Sequence, residues 1–134
     1  MTSFSLKIVS PDGVKFEGQV EQLTVRATTG DIGILAGHTN CVAPLGMGQA
    51  SIVMDGKKRY AACIGGMLSV VNGQVHLVPT TFEWADEIDT DRAEASYQRT
   101  QKTIKDKNSS DADIVLAKAR LRRALVRKGV ASLK

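Results

Sequence analysis

The residues whose spacing could do chemistry in this chain are arginines. Arg92 and Arg99 lie seven residues apart, Arg123 and Arg127 lie four apart, and Arg120 stands one turn before them. On a helix each pair shares a face, because side chains four and seven positions apart return to the same side. If the two helices fold back on each other, the start of the first lies beside the end of the second. Four guanidiniums, those of Arg92, Arg99, Arg123 and Arg127, then converge, and their planar donor forks match the oxygens of a polyphosphate. An ordinary basic helix would instead spend them on a solvated face, in ion pairs worth roughly a few tenths of a kcal/mol.

Other chemistry is poorly supplied. His38 ends a glycine-rich stretch with no nucleophile or orienting acid in a recognisable triad, so no catalytic residue is assigned. His76 reads as cross-strand structure. Cys41 and Cys63 form no C-x-x-C pair, and with two histidines they make a poor zinc set, so no metal site is expected. Gly30, Gly33 and Gly37 lack the Lys-Ser/Thr ending of a phosphate loop and read as backbone geometry for a loop facing a partner.

The elements that must position the arginines follow from composition. The chain has 134 residues and 14.4 kDa, 43% of it apolar and 24% charged, as in a globular protein with one domain and a small appendage. Nothing approaches the roughly 18 apolar residues of a membrane span, and the first residues resemble no secretory signal, so a reduced, cytosolic chain is expected. Residues 1–84 balance six basic against six acidic groups, so the whole excess of +4 lies in 85–134. From Lys118 onward there are seven basic residues and no acidic one, an end suited to an anionic partner. Six aromatic residues, none interleaved with that run, argue against nucleic acid.

Residues 1–84 read as all-β. Phe4, Leu6 and Ile8 alternate with polar neighbours, and Val20–Val25 forms another short strand. Pro11-Asp12-Gly13 supplies a turn, while Asp55-Gly56 and Asn72-Gly73 each sit between strands as two-residue hairpins. After Pro79 the pattern changes. Residues 86–134 contain no proline and one glycine. They predict a first helix with two candidate caps within Ile88-Asp89-Thr90-Asp91 and an end about Lys105–Asn108, then a second from the Ser110–Asp113 capping box to about Lys128, with Gly129 as C-cap. Both helices carry mostly small apolar residues, so their hold on the body should be weak. The fold class is α+β: an antiparallel β-sandwich over 1–84, then an antiparallel two-helix hairpin over 85–134.

The chain resembles the epsilon subunit of the F-type ATP synthase, in its bacterial form. Gly30-Asp31-Ile32-Gly33-Ile34-Leu35-Ala36-Gly37-His38, followed by Ala43-Pro44-Leu45, is similar to that family's signature loop. Gly65-Gly66 with Leu68, Val70 and Asn72 resembles its second block, and Ile88-Asp89-Thr90-Asp91-Arg92-Ala93 matches its (Ile/Leu)-Asp-x-x-Arg-Ala motif. Ala36, where the family usually carries proline, is a departure.

The resemblance implies a non-catalytic regulatory and coupling subunit of the central stalk, peripheral to the cytoplasmic face of the cell membrane. Its sandwich would bind gamma and rest on the c-subunit ring, with Asp31 meeting the c-ring loops and His38 touching gamma or the ring. Its hairpin would extend to block ATP hydrolysis or fold back, and ATP, a regulatory ligand and no required cofactor, would favour the folded state. The expected ATP site is Glu83, Ile88, Asp89, Arg92, Ala93, Arg99, Arg123 and Arg127, with Asp89 accepting from the adenine amino group. In the extended state Arg120 and Arg122 of the cationic tail would face acidic loops of the catalytic beta subunits. The rival reading is a stand-alone nucleotide-sensing protein that docks no rotor.

Overall fold

Alternation of apolar and polar residues builds ten strands in the computed structural model, which describes residues 2–106 and 108–133. In β1 (Phe4–Ser10) the buried residues are Phe4, Leu6, Ile8 and Ser10; in β9 (Gln74–Val78) they are Val75 and Leu77. Each strand therefore turns one row of side chains inward. With β2 (Gly13–Val20), β8 (Met67–Val71) and β5 (Cys41–Pro44) they form one sheet, ordered β2-β1-β9-β8-β5. The second sheet is ordered β10-β7-β6-β3-β4, from β10 (Thr81–Trp84), β7 (Lys57–Ile64), β6 (Met47–Met54), β3 (Gln22–Ala27) and β4 (Gly30–Leu35). Leu6, Ile8, Leu23, Val25, Ile34, Ile52, Leu68 and Leu77 fill the space between the sheets and are essentially inaccessible.

Both two-residue turns form as their sequences predict. Asp55 and Gly56 have φ of 50° and 73°, Asn72 and Gly73 of 49° and 80°. Positive φ at both central positions matches the strand twist, and Asn, Asp and Gly tolerate it best. Three details differ from the sequence reading. The Val20–Val25 strand is two: Val20 ends β2, Glu21 crosses between sheets with its N–H donating to the Val53 carbonyl at 2.7 Å, and Leu23 and Val25 belong to β3. One pair, β1 with β9, runs parallel, which the long connection between these two strands permits. Gly30–Leu35 is the edge strand β4, paired along its length with β3, and the loop proper begins at Ala36.

A 3-10 turn (Ala85–Glu87) leads from β10 into α1 (Thr90–Lys105), capped by the Asp89 carboxylate, which accepts from the Arg92 N–H at 3.0 Å. The Ser110 hydroxyl accepts from the Asp113 N–H at 3.1 Å and the Asp113 carboxylate accepts from the Ser110 N–H at 3.3 Å, closing the capping box of α2 (Asp111–Ala131). The helices pack antiparallel through small or short residues, Ala93, Thr100, Ala117 and Ala124. Gly129 does not end α2. Val130 and Ala131 bury against Ala62, Ala85 and Ile88, and that packing carries the helix one turn further, to a cap at Ser132. Trp84 lies in the sandwich core, edge-on to Phe82 at 5.0 Å, with the Arg59 guanidinium 3.6 Å from its ring centre. Lys134, the last cation of the tail, lies outside the described residues.

Candidate ligand-binding site

A cavity of about 530 Å3 opens where the foot of the hairpin meets the open edge of the sandwich. Asp12 enters it from the β1–β2 turn and Lys15 from β2, Thr81, Phe82 and Glu83 from β10, and Glu87, Ile88 and Asp89 from the hinge. The helices add Arg92, Ala93, Ser96 and Arg99 from α1, with Ala124 and Arg127 from α2. Seven of the eight residues marked from the sequence thus line one space: Glu83, Ile88, Asp89, Arg92, Ala93, Arg99 and Arg127.

The eighth, Arg123, lines a neighbouring groove of about 660 Å3, with Arg26, Arg122, Leu45 and Met47. Four residues along a helix move a side chain about 6 Å down the axis and turn it by about 40°. At this crossing, that displacement suffices to put Arg127 in the cavity and Arg123 beyond it. Ala124, between them, is the α2 residue that faces α1, and it is buried.

Charge in the cavity is unevenly committed. The Arg127 Nε donates to Glu83 Oε1 at 2.6 Å, with both side chains about one-third exposed (32% and 31%). Arg92, Arg99 and Lys15 form no ion pair among the described residues, so these cations face the open space without a fixed counter-charge. Nearby, Lys128 donates to Glu94 at 2.6 Å and lies 4.1 Å from the centre of the Tyr97 ring, tying α2 to α1. That hydrogen bond from Lys128, aided by one from Gln98, holds the Glu94 carboxyl below its ordinary pKa.

Sequence reasoning missed Lys15, Asp12, Thr81, Glu87 and Ser96. Only the turn-forming Asp12 carried any signal, and it pointed to backbone geometry. The residues marked for partner contact lie apart from the cavity. Asp31 is exposed on β4, where Arg26 Nε donates to its carboxylate at 2.6 Å across the β3–β4 pair. His38 follows β4, and its Nδ1 donates to the Thr39 carbonyl at 2.7 Å. Arg120 is exposed at a cleft between the helices beside Arg99, and Arg122 lies on the groove with Arg123. Cys63 is buried, which pushes its thiol up to about 12 and leaves it inert. No group of three or more metal-ligating side chains gathers among the described residues.

Comparison with known proteins agrees with this architecture. Residues 3–85 match the beta-sandwich domain of the ATP synthase delta/epsilon chain, and residues 86–131 its long alpha-helix domain. The ATP synthase epsilon chain of Bacillus velezensis is 40% identical over 131 residues, covering 98% of either chain. That of Caldicellulosiruptor saccharolyticus is 40% identical over 111 residues, 83% of this chain and 81% of its own. A chain of the Euglena gracilis mitochondrial ATP synthase shares the fold at a TM-score of 0.84 and 21% identity, covering all of this chain and 83% of that one. With both halves of the fold and the helix-start motif in place, the chain belongs to the epsilon chains of the ATP synthases, as a non-catalytic member of the family.

Proposed function

We propose that this chain regulates and couples its ATP synthase from the central stalk, and that ATP in the cavity at the hairpin foot holds the hairpin folded. The observation that carries this reading is the convergence of Arg92, Arg99 and Arg127 beside Asp89 and Ile88 at the joint between hairpin and sandwich. Arg92 and Arg99 offer uncommitted guanidinium forks to a triphosphate, and Arg127 joins them once it leaves Glu83. Asp89 already accepts from one backbone N–H and keeps a second carboxylate oxygen for an adenine amino group.

Regulation follows from linkage. A ligand that binds only the folded form stabilises it by about 2.7 kcal/mol at a hundred times its Kd. The joint it acts on is small enough for that to matter. When ATP is scarce the hairpin leaves the sandwich, and its cationic end, with Arg120 and Arg122, meets acidic loops of the catalytic beta subunits and halts hydrolysis. The sandwich meanwhile stays on gamma and the c-subunit ring, at the cytoplasmic face of the membrane, with Asp31 and His38 toward those partners. Among the described residues no helix is long and apolar enough to cross a membrane itself.

The decisive experiment compares assembled ATP synthase carrying the full chain with one carrying residues 1–85. Hydrolysis at low ATP should rise severalfold on truncation, with assembly unchanged. Equal rates in the two complexes would remove the gate.

A further inference from the structure

We infer that the cavity is completed by the sandwich, through Lys15: its ammonium contacts the phosphates of a bound nucleoside triphosphate, which thereby staples the hairpin to the sandwich. The inference deepens the nucleotide reading and rests on it.

Strand register supplies the first argument. Ile8 opposes Phe16 and Val9 opposes Val14, so Lys15 is the extra residue of a β-bulge, with no partner on β1. Bulges bend a strand and re-aim the inserted side chain, and they concentrate beside functional sites. Packing supplies the second. Phe16 stands edge-on to Trp84 at 6.2 Å, which sets β2, the edge of one sheet, against β10, the edge of the other. Lys15 is thereby brought to the same cavity as Glu83.

Charge supplies the third. Lys15 is half-buried and forms no ion pair among the described residues, so its ammonium is uncommitted and available to an incoming anion. Arg92, Arg99 and Arg127 all ride on the hairpin, so a nucleotide held by them alone would travel with it. Such a ligand would bind a docked hairpin and one that detaches with its helices still paired alike, and equal affinity shifts nothing. Of the sandwich's other charged residues in the cavity, Glu83 and Asp12 are carboxylates and repel phosphate. Lys15 is the sandwich's cation there, and its contact exists only when the hairpin is docked. It is the source of the differential affinity that regulation requires.

The test is calorimetric titration of the full chain with ATP, using Lys15→Met, Lys15→Arg and, as a charge control, Lys57→Met at the exposed start of β7. Losing one charge-assisted contact should weaken binding about tenfold in Lys15→Met, while Lys15→Arg stays within about threefold of the parent and Lys57→Met is unchanged. ATP should also protect the hairpin from trypsin less well in Lys15→Met than in the parent when both are saturated. Should Lys15→Met fail to fold by circular dichroism, Lys15→Gln takes its place. Equal binding and equal protection in parent and neutral variants overturn the inference and leave the nucleotide reading standing. So does equal weakening in Lys15→Met and Lys57→Met, which would mean only long-range charge. An absence of binding to the parent chain overturns the nucleotide reading itself.

Discussion

The interior of the sandwich and the joint between sandwich and hairpin are built from the same kinds of residue in very different amounts. Eighteen buried residues form one continuous core between the sheets, including Leu6, Ile8, Leu23, Ile52, Phe82 and Trp84. Five form the joint, and three of those are alanines: Ala62, Ala85 and Ala131 beside Ile88 and Val130. Burial at about 25 cal/mol per Å2 makes the first a body that unfolds as a unit and the second a contact that can open by itself. Polar ties at the joint are equally sparing: one ion pair at 2.6 Å from Arg127 to Glu83, and a looser approach of 4.0 Å from Arg59 to Asp86. A molecule organised this way can move its hairpin without disturbing the surface that faces its partners.

Two substitutions would break that contrast most directly. Leu23→Ala, at a side chain with no exposure, should cost about 3 kcal/mol and lower the chemical denaturation midpoint of the whole sandwich, followed by the fluorescence of its single tryptophan, Trp84. Val130→Asp places an unpaired carboxylate in the joint and should release the end of α2, exposing the hairpin to protease, with the Trp84 transition moved by less than about 0.5 kcal/mol. If Val130→Asp shifted the Trp84 transition as far as Leu23→Ala, the joint would be part of the core and the separation would be lost.

The two arginine-lined spaces allow a finer version of the same test. Arg99→Ala removes a guanidinium from the cavity and should weaken ATP binding by the isolated chain about tenfold or more. Arg123→Ala alters the neighbouring groove and should weaken it by about threefold at most. Calorimetry on the two variants orders them. The reverse order would move the ligand out of the cavity and toward the groove above Leu45 and Met47.

How much of this was legible in the sequence depended on whether the signal was local. Both two-residue hairpins were readable because Asp55-Gly56 and Asn72-Gly73 specify their own backbone, and the Ser110–Asp113 box was readable because the two residues satisfy each other. Arg92, Arg99 and Arg127 could be marked because helix geometry is periodic. What failed was set by tertiary contact. The crossing at Glu21 split an uninterrupted β-like run, and the edge pairing of Gly30–Leu35 made a strand of what read as a loop. Burial of Val130 and Ala131 overrode the glycine before them. Arg123, marked together with Arg127, lines the neighbouring groove one turn of helix away from the space that Arg127 enters. Lys15 could not be found, since a bulge is a relation between two strands and leaves no mark on either one.

Within the hairpin itself the smallest effect should come from acid, because Glu94 and Lys128 join the two helices on a half-exposed face. The native Glu94 pKa lies below the value of 4.5 for a free glutamate, chiefly through the hydrogen bond from Lys128. A lowered native pKa means that the unfolded form binds protons more readily, so stability rises with pH across the interval between the two values. The tie is therefore complete above the ordinary carboxylate range and fades as pH falls through the native pKa. The fraction of hairpins with closely paired helices, read from the distance between spin labels placed on α1 and α2 beside this pair, should be constant from pH 7 to about 5 and decline below about 4. Glu94→Gln should flatten that decline at a constant, slightly lower paired fraction. A decline of equal depth in Glu94→Gln would assign the acid sensitivity elsewhere, and the tie between Glu94 and Lys128 would then carry none of it.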